Sequence, residues 1–203
     1  MPIRRLISAV TTGSRDWSDL VLDGDGYFIR ATNLRRHTTD PDLAEPKLAR
    51  LQSPSTAEAR RAMLQPGDLL VCVTGYPGSV AYWAGKVAPA FVSQHVAALR
   101  PATGTLGQWM AFALLAPSVQ AQITARQYGG TKQGLGLDDL KELRVALASP
   151  TQQSIVAAEL AAAQANMDSL IADCERQVDL LREKRQALIT AAVTGQVPVP
   201  GAA

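Results

Sequence analysis

TQQSIVAAELAAAQANMDSLIADCERQVDLLREKRQALITAAV, Thr151–Val193, runs for more than forty residues without a proline or a glycine. Leu160, Met167, Cys174, Leu181 and Leu188 recur every seven positions. Ala163 and Leu170 follow the first two at a spacing of three; Ile171 and Val178 follow Met167 and Cys174 at a spacing of four. This is the period of a helix that packs lengthwise on another helix. Pro150 marks its start, and Gly195 followed by Pro198 and Pro200 marks its end. At ~1.5 Å per residue it runs roughly 60 Å. Gln177 and Lys184 interrupt the stripe three residues after Cys174 and Leu181, and polar residues there fix register and partner number at some cost in stability. Asp168, Asp173, Glu175, Arg176, Asp179, Arg182, Glu183 and Lys184 form a solvated opposite face. The like-charge pairs Glu175–Asp179 and Asp179–Glu183 give no local support, so the helix depends on packing. A stripe of this length needs a partner, from this chain or a second copy.

The 203 residues hold one ordinary globular domain beside that helix, and 47% hydrophobic with 19% charged residues describes a soluble, folded chain. No apolar run approaches the length of a membrane span, and the N-terminus lacks the apolar core of a signal peptide, so a cytoplasmic protein is expected. Cys72 and Cys174 read as buried apolar residues rather than a disulfide. Residues 1–150 carry 16 Lys/Arg against 12 Asp/Glu, a net of +4, and residues 151–203 carry 4 against 6, a net of −2. A basic globule permits nucleic-acid binding without requiring it.

Along the chain, residues 1–26 show no clear element apart from a turn at Asp23–Gly26. Tyr27–Leu34, YFIRATNL, is predicted as a strand, followed by a polar loop that exposes Arg35, Arg36, His37, Lys47 and Arg50. Ser55 with Glu58 reads as a capping box that opens a helix to about Met63. Leu69–Gly75, LLVCVTG, reads as a strand buried on both faces. Tyr76-Pro77-Gly78 turns the chain into Ser79–Trp83, and Ala90–Arg100 reads as one further strand. Leu106–Leu115 and Val119–Gln127 read as short helices split by Pro117. A glycine-rich loop, Tyr128–Gly136, precedes a helical turn capped by Asp138 or Asp139 and a last strand, VALA. The fold class is α+β, with a globule over 1–150, the helix over 151–195 and a tail over 196–203.

Catalytic signatures are missing. There is no phosphate loop of the G-x-x-x-x-G-K-[ST] type and no G-x-S-x-G elbow. His37 and His95 lack partners at metal-ligand spacing. Asp138 and Asp139 diverge as neighbours, which suits helix capping better than paired acid and base. No cofactor, metal or catalytic residue is expected. The densest remaining signal is Gly129-Gly130-Thr131-Lys132-Gln133-Gly134. Glycines allow close backbone approach, Lys132 reaches phosphate or guanine acceptors, Gln133 matches the adenine edge, and Thr131 serves either. The plain reading of such a hexapeptide is a surface loop. Arg126 precedes it; Arg30, Thr32 and Asn33 at the exit of the Tyr27 strand and Thr74, Gly75 and Tyr76 at the end of the buried strand are weaker groups, which with Arg35 and Arg36 of the basic loop offer a groove-facing edge.

YFIRATNL, LQPGDLLVCVTG, FVSQHVAALRP, YGGTKQGLGLDDLKELRVALASPTQQSIVAAEL and LLREKRQALITAAVTGQV, in this order, resemble the specificity subunit of type I restriction–modification systems, from about Tyr27 to Val197. That resemblance implies a non-catalytic target recognition domain followed by a spacer helix. It implies docking to methyltransferase subunits and, through them, to the ATP-driven restriction translocase. In the family, two such domains joined by two antiparallel helices each read one half of a split DNA target. This chain has one domain and one helix and resembles half-subunits that pair, which implies a homodimer, an intermolecular antiparallel coiled coil through Leu160, Met167, Leu170, Cys174, Leu181 and Leu188, and an inverted-repeat target. The family's Pro-Pro and Glu-Gln before the helix stand here as Ala148-Ser149-Pro150 and Gln152-Gln153. Two other readings compete: a coiled-coil scaffold without DNA recognition, and a nucleotide-binding enzyme using the 129–134 loop.

Overall fold

The computed structural model describes residues 1–21, 24–44, 48–53, 56–127 and 134–197. Contacts divide the chain into two compact units, Met1–Ala158 and Glu159–Ala203.

Among the described residues of the first unit, seven strands build two sheets. β1 (Ile7–Thr12), β7 (Val96–Pro101), β4 (Leu69–Cys72) and β5 (Val80–Tyr82) lie in that order, antiparallel throughout. β3 (Ala49–Leu51), β2 (Gly26–Ile29) and β6 (Ala90–Val92) form the second sheet, in which β2 and β6 run parallel. Successive side chains of a strand face opposite ways, and the apolar residues use that alternation to build three layers of core. Leu69, Val71, Ala97 and Leu99 pack on α2 (Gly107–Leu115), α3 (Pro117–Arg126) and α4 (Leu137–Glu142) through Met110, Leu114, Ile123 and Leu140. Leu70, Cys72, Val96 and Ala98, on the other face of β4 and β7, pack on Ile29, Trp83 and Val92. Phe28 and Phe91, opposite each other in the β2–β6 ladder, face a third cluster with Trp17, Leu51 and α1 (Ala57–Ala62). The central strand β4 is apolar on both faces because both faces are covered.

Several sequence expectations are corrected. Ala90–Arg100 is two strands in different sheets, because Gln94 and His95 form a turn where Val96 N–H donates back to the Ser93 carbonyl at 3.1 Å. The Tyr27 strand stops at Ile29 and enters a 3-10 turn, Ala31–Asn33. β1 forms in a stretch, Ile7–Thr12, where no strand is expected from the sequence. VALA is no strand; Pro2 bridges Arg144, and Ile3 and Val145 exchange further backbone bonds with Leu143 and Met1. Thr56 caps α1, its hydroxyl accepting from Ala59 N–H at 3.1 Å; Ser55 lies outside the described residues, as do Asp23 of the expected turn and Lys47. Neither Asp138 nor Asp139 is the cap of α4: Gly136 occupies that position, and both carboxylates sit in the first turn.

α5 spans Pro150–Val193. Its start is a capping box: Gln152 N–H donates to Ser149 Oγ at 3.3 Å, and Ser149 N–H donates to Gln152 Oε1 at 3.0 Å. Gln153, 3% exposed, and Ala157, 1% exposed, are buried in the first unit, so the unit boundary falls inside the helix. Gly195, at φ +72°, closes the far end; its N–H donates to Ala192 O, and Gln196 N–H to Ala191 O. Leu160, Met167, Leu170, Leu181 and Leu188 are exposed in the single chain. So is Cys174, which corrects its reading as a buried residue; Cys72 is buried as expected. Among the described residues no helix is long and apolar enough to cross a membrane.

Candidate functional site

β4 delivers the chain to a turn closed by backbone hydrogen bonds between its two ends. Cys72 N–H donates to Ser79 O at 2.8 Å, and Gly78 N–H returns to Cys72 O at 3.0 Å. Gly75 and Gly78 adopt φ +91° and +96°, in the left-handed region that a side chain disfavours. The turn lifts Tyr76 into solvent, 64% exposed. Beneath it the Cys72 thiol donates to Thr74 O at 3.2 Å, and burial pushes its pKa up, so it is a packing residue rather than a nucleophile.

Two further segments meet this turn. Leu135 N–H donates to Val73 O at 2.8 Å, and Gly134 bridges Thr74, which fixes the residues after the glycine-rich loop beside the end of β4. From the other side the loop after β2 brings the Arg36 guanidinium 5.0 Å from the Tyr76 ring centroid. Between these parts lies a cleft of about 430 Å³. Arg36, His37 and Tyr76 line one wall, and Gln120, Thr124 and Gln127 of α3 and its exit line the other. The cleft is polar, with a guanidinium, an imidazole, a phenol and amides facing one space.

The loop that carries Arg36 is built by Asn33. Its Oδ1 accepts from Arg30 N–H at 2.8 Å, and its Nδ2 donates to Asp42 O at 2.8 Å. Asp42 N–H closes the circuit on Asn33 O at 2.8 Å. Asn33 is fully buried, so its amide positions the loop and does not face a ligand, contrary to its expected role as a contact. Arg30 is half-buried at the start of the same 3-10 turn. Arg35 is exposed and lies 3.4 Å from the buried Asp42 carboxylate. Arg126 sits in the last turn of α3, donates to Gln122 O at 3.1 Å, and is not among the residues that line the cleft. Gly130, Thr131, Lys132 and Gln133 lie outside the described residues. The structure thus brings Arg36 and Tyr76 together and adds His37, Gln120, Thr124 and Gln127. For α3 the sequence carried helix boundaries only; which face of so weakly amphipathic a helix turns to the cleft is decided by Val119 and Ile123 packing inward.

Among the described residues no cluster of three or more His, Cys, Asp and Glu is placed to hold a metal ion. A different groove, largely apolar, runs along α5, lined by Met167, Leu170, Ile171, Cys174 and Val178.

No protein-family model and no curated protein matches the chain. Solved structures do. An S subunit of a type I restriction–modification system from M. genitalium superposes with a TM-score of 0.61 at 18% identity, over 95% of this chain and 46% of that one. A chain from work on complex assembly and conformational transition of the type I R-M system gives 0.63 at 20%, over 95% and 44%. The HsdS subunit from Thermoanaerobacter tengcongensis gives 0.54 at 19%, over 84% and 38%. The chain has the fold of these specificity subunits and spans less than half the length of each.

Proposed function

We propose that this chain is a non-catalytic, DNA-sequence-specificity subunit of a type I restriction–modification complex, carrying one recognition domain (about 1–150) and one spacer helix (about 151–195). The observation that carries this reading is the match of 95% of the chain, globule and long helix together, to less than half of a specificity subunit. The exposed stripe Leu160, Met167, Leu170, Cys174, Leu181 and Leu188 suits a second copy packed antiparallel. A homodimer then reads an inverted repeat split by a gap, docks methyltransferase subunits and reaches the restriction translocase through them, in a cytoplasmic defence against phage DNA.

On the globule, the face around Arg36 and Tyr76 is the proposed DNA interface. Gln127 and Gly134 bracket the loop that holds Thr131, Lys132 and Gln133, and these remain proposed contacts together with Gly130, Arg30, Arg35 and Arg126. The exposed arginines supply the phosphate attraction that duplex binding needs.

The test is the mass of the purified chain by light scattering, alone and with a methyltransferase subunit, followed by titration with a randomised duplex pool. A dimer of roughly 43 kDa, twice 21.6 kDa, that recruits methyltransferase and binds duplex is the expected outcome. A dimer that binds no DNA even with methyltransferase present favours the scaffold reading, which rests on the α5 stripe alone. A folded monomer that ignores the methyltransferase overturns both.

A further inference from the structure

We propose that Gln120 is a positioning residue that holds Tyr76, beside Arg36, as a preformed aromatic surface for the sugar faces and thymine methyl edges of duplex DNA. This rests on the reading of that face as the DNA interface, and it adds both the mode of contact and the residue that sets it.

Gln120 Nε2 donates twice, to Leu114 O at 2.8 Å and to Gly78 O at 3.0 Å. The first is a carbonyl at the end of α2, where helical partners run out; the second belongs to the turn itself. One side-chain amide therefore ties the Tyr76 turn to the α2–α3 corner. The fit is close, since a Cβ on Gly78 would meet Gln120 Oε1 at 2.7 Å. Gly75 and Gly78 admit the positive φ that the turn needs, Pro77 restricts its own φ, and the bonds from Gly78 N–H to Cys72 O and from Gln120 to Gly78 O hold the turn, which leaves it less freedom to lose on binding.

The exposed ring is then the functional part. The chain has a second Arg-over-Tyr pair, and the contrast is informative. Arg50 lies 4.3 Å from the Tyr27 centroid, but those residues sit opposite each other in the β2–β3 ladder and Tyr27 is half-buried. That pair is explained by cross-strand packing. Arg36 and Tyr76 come from two loops with no ladder between them, and Tyr76 keeps 64% of its surface exposed. A guanidinium stacked on a ring still has its N–H donors directed outward along its edges, toward a phosphate, while the ring offers an apolar face. Phosphate beside an apolar sugar face and, in the major groove, a thymine methyl edge is chemistry that duplex DNA exposes, whereas its base faces are already stacked on one another, and an aromatic ring packs on that chemistry without hydrogen-bond readout.

The experiment uses the full chain and a randomised duplex pool substituted with 5-iododeoxyuridine. Photo-crosslinking is mapped, and affinity is measured against salt. The wild-type chain is expected to cross-link at Tyr76. Tyr76→Phe should bind within twofold of wild type, and Tyr76→Ala should lose about tenfold with an unchanged salt slope, from the apolar contact removed. Arg36→Ala should lower that slope by about one. Gln120→Leu should lose affinity as Tyr76→Ala does, with the slope intact and the Tyr76 cross-link sharply reduced, in a chain whose circular dichroism matches wild type. Tyr76→Phe as damaging as Tyr76→Ala would mean the hydroxyl acts and the face does not. An undiminished Tyr76 cross-link in Gln120→Leu removes the positioning role. Wild-type binding without any Tyr76 cross-link overturns this inference alone, whereas no wild-type duplex binding overturns the DNA interface with it.

Discussion

β4 and the distal part of α5 are both rich in leucine, valine and cysteine, and they place those residues in opposite environments. Leu69, Leu70, Val71 and Cys72 are all 0% exposed. Leu170 is 59% exposed, Leu181 65%, and Cys174 faces solvent. The strand is covered on one side by helices and on the other by a second sheet, all from the same unit. The helix beyond Ala158 has a stripe at the right period and no cover on it in the single chain. Composition alone does not tell a core from an interface; what separates them is whether the chain itself supplies the opposing layer. The first unit supplies both layers that cover β4, and the stripe on α5 stays exposed in the single chain.

The largest expected effect tests that contrast directly. Leu70→Ala should cost about 2–5 kcal/mol of stability, because the layers on either side of β4 cannot collapse into the vacated space. Leu181→Ala, measured at a dilution where light scattering gives the monomer, should change stability by less than about 0.5 kcal/mol. Thermal unfolding of both variants decides it. If the two are equally damaging in the monomer, the stripe is already packed within the chain and the contrast is false. If the Leu181→Ala penalty grows with protein concentration, the missing layer is a second copy.

A middle-sized effect locates where one region gives way to the other. Gln153 accepts from Leu106 N–H at 2.9 Å and donates to Ala148 O at 3.0 Å, while almost wholly buried. Gln152, its neighbour, serves only the exposed capping box at Ser149. Gln153→Ala leaves the partly buried Leu106 N–H and Ala148 carbonyl unmet, at about 1–3 kcal/mol; Gln152→Ala should cost about 0.5–1 kcal/mol, the usual worth of a cap. Urea unfolding midpoints of the two variants give the order. A reversed order would show that the first turns of α5 are not part of the globule.

How far the sequence could be read follows the same division. α5 was legible almost residue by residue, since its signals are local: a seven-residue period, no proline or glycine within, and Gly195 at the end. β4 was legible as a doubly buried strand for the same reason. The pairing of strands was not, because nothing in Ala90–Arg100 says that a turn at Gln94–His95 sends its halves to different sheets; long-range register decides that. The site was half legible. Arg36 and Tyr76 stood out as exposed residue types beside turns, but that Asn33 would be buried with both amide groups occupied, and that Gln120 would hold the turn, depends on contacts between segments tens of residues apart. Local chemistry is written in the sequence, whereas which loops face each other is settled by the sheets that carry them.

The smallest expected effect concerns the surface of the globule, where burial plays no part. Lys141 Nζ donates to Asp138 Oδ1 at 2.6 Å, and this hydrogen bond, with the charge behind it, holds the Asp138 carboxyl below its ordinary pKa. The folded state therefore binds the Asp138 proton less readily than the unfolded chain does. Its contribution is present above the unfolded value, about pH 4, and is lost as pH falls through the lower folded value. Asp138 is almost fully exposed, so solvent and salt screen the pair and the contribution is small. Asp138→Asn should lower the urea midpoint slightly at about pH 7, and the difference should vanish well below pH 4, where the wild-type carboxyl is also neutral. Added salt at neutral pH should shrink it as well. A difference that survives both acid and salt would trace to the backbone of α4 rather than to charge, and the outer surface of the globule would then be held by geometry, as its core is.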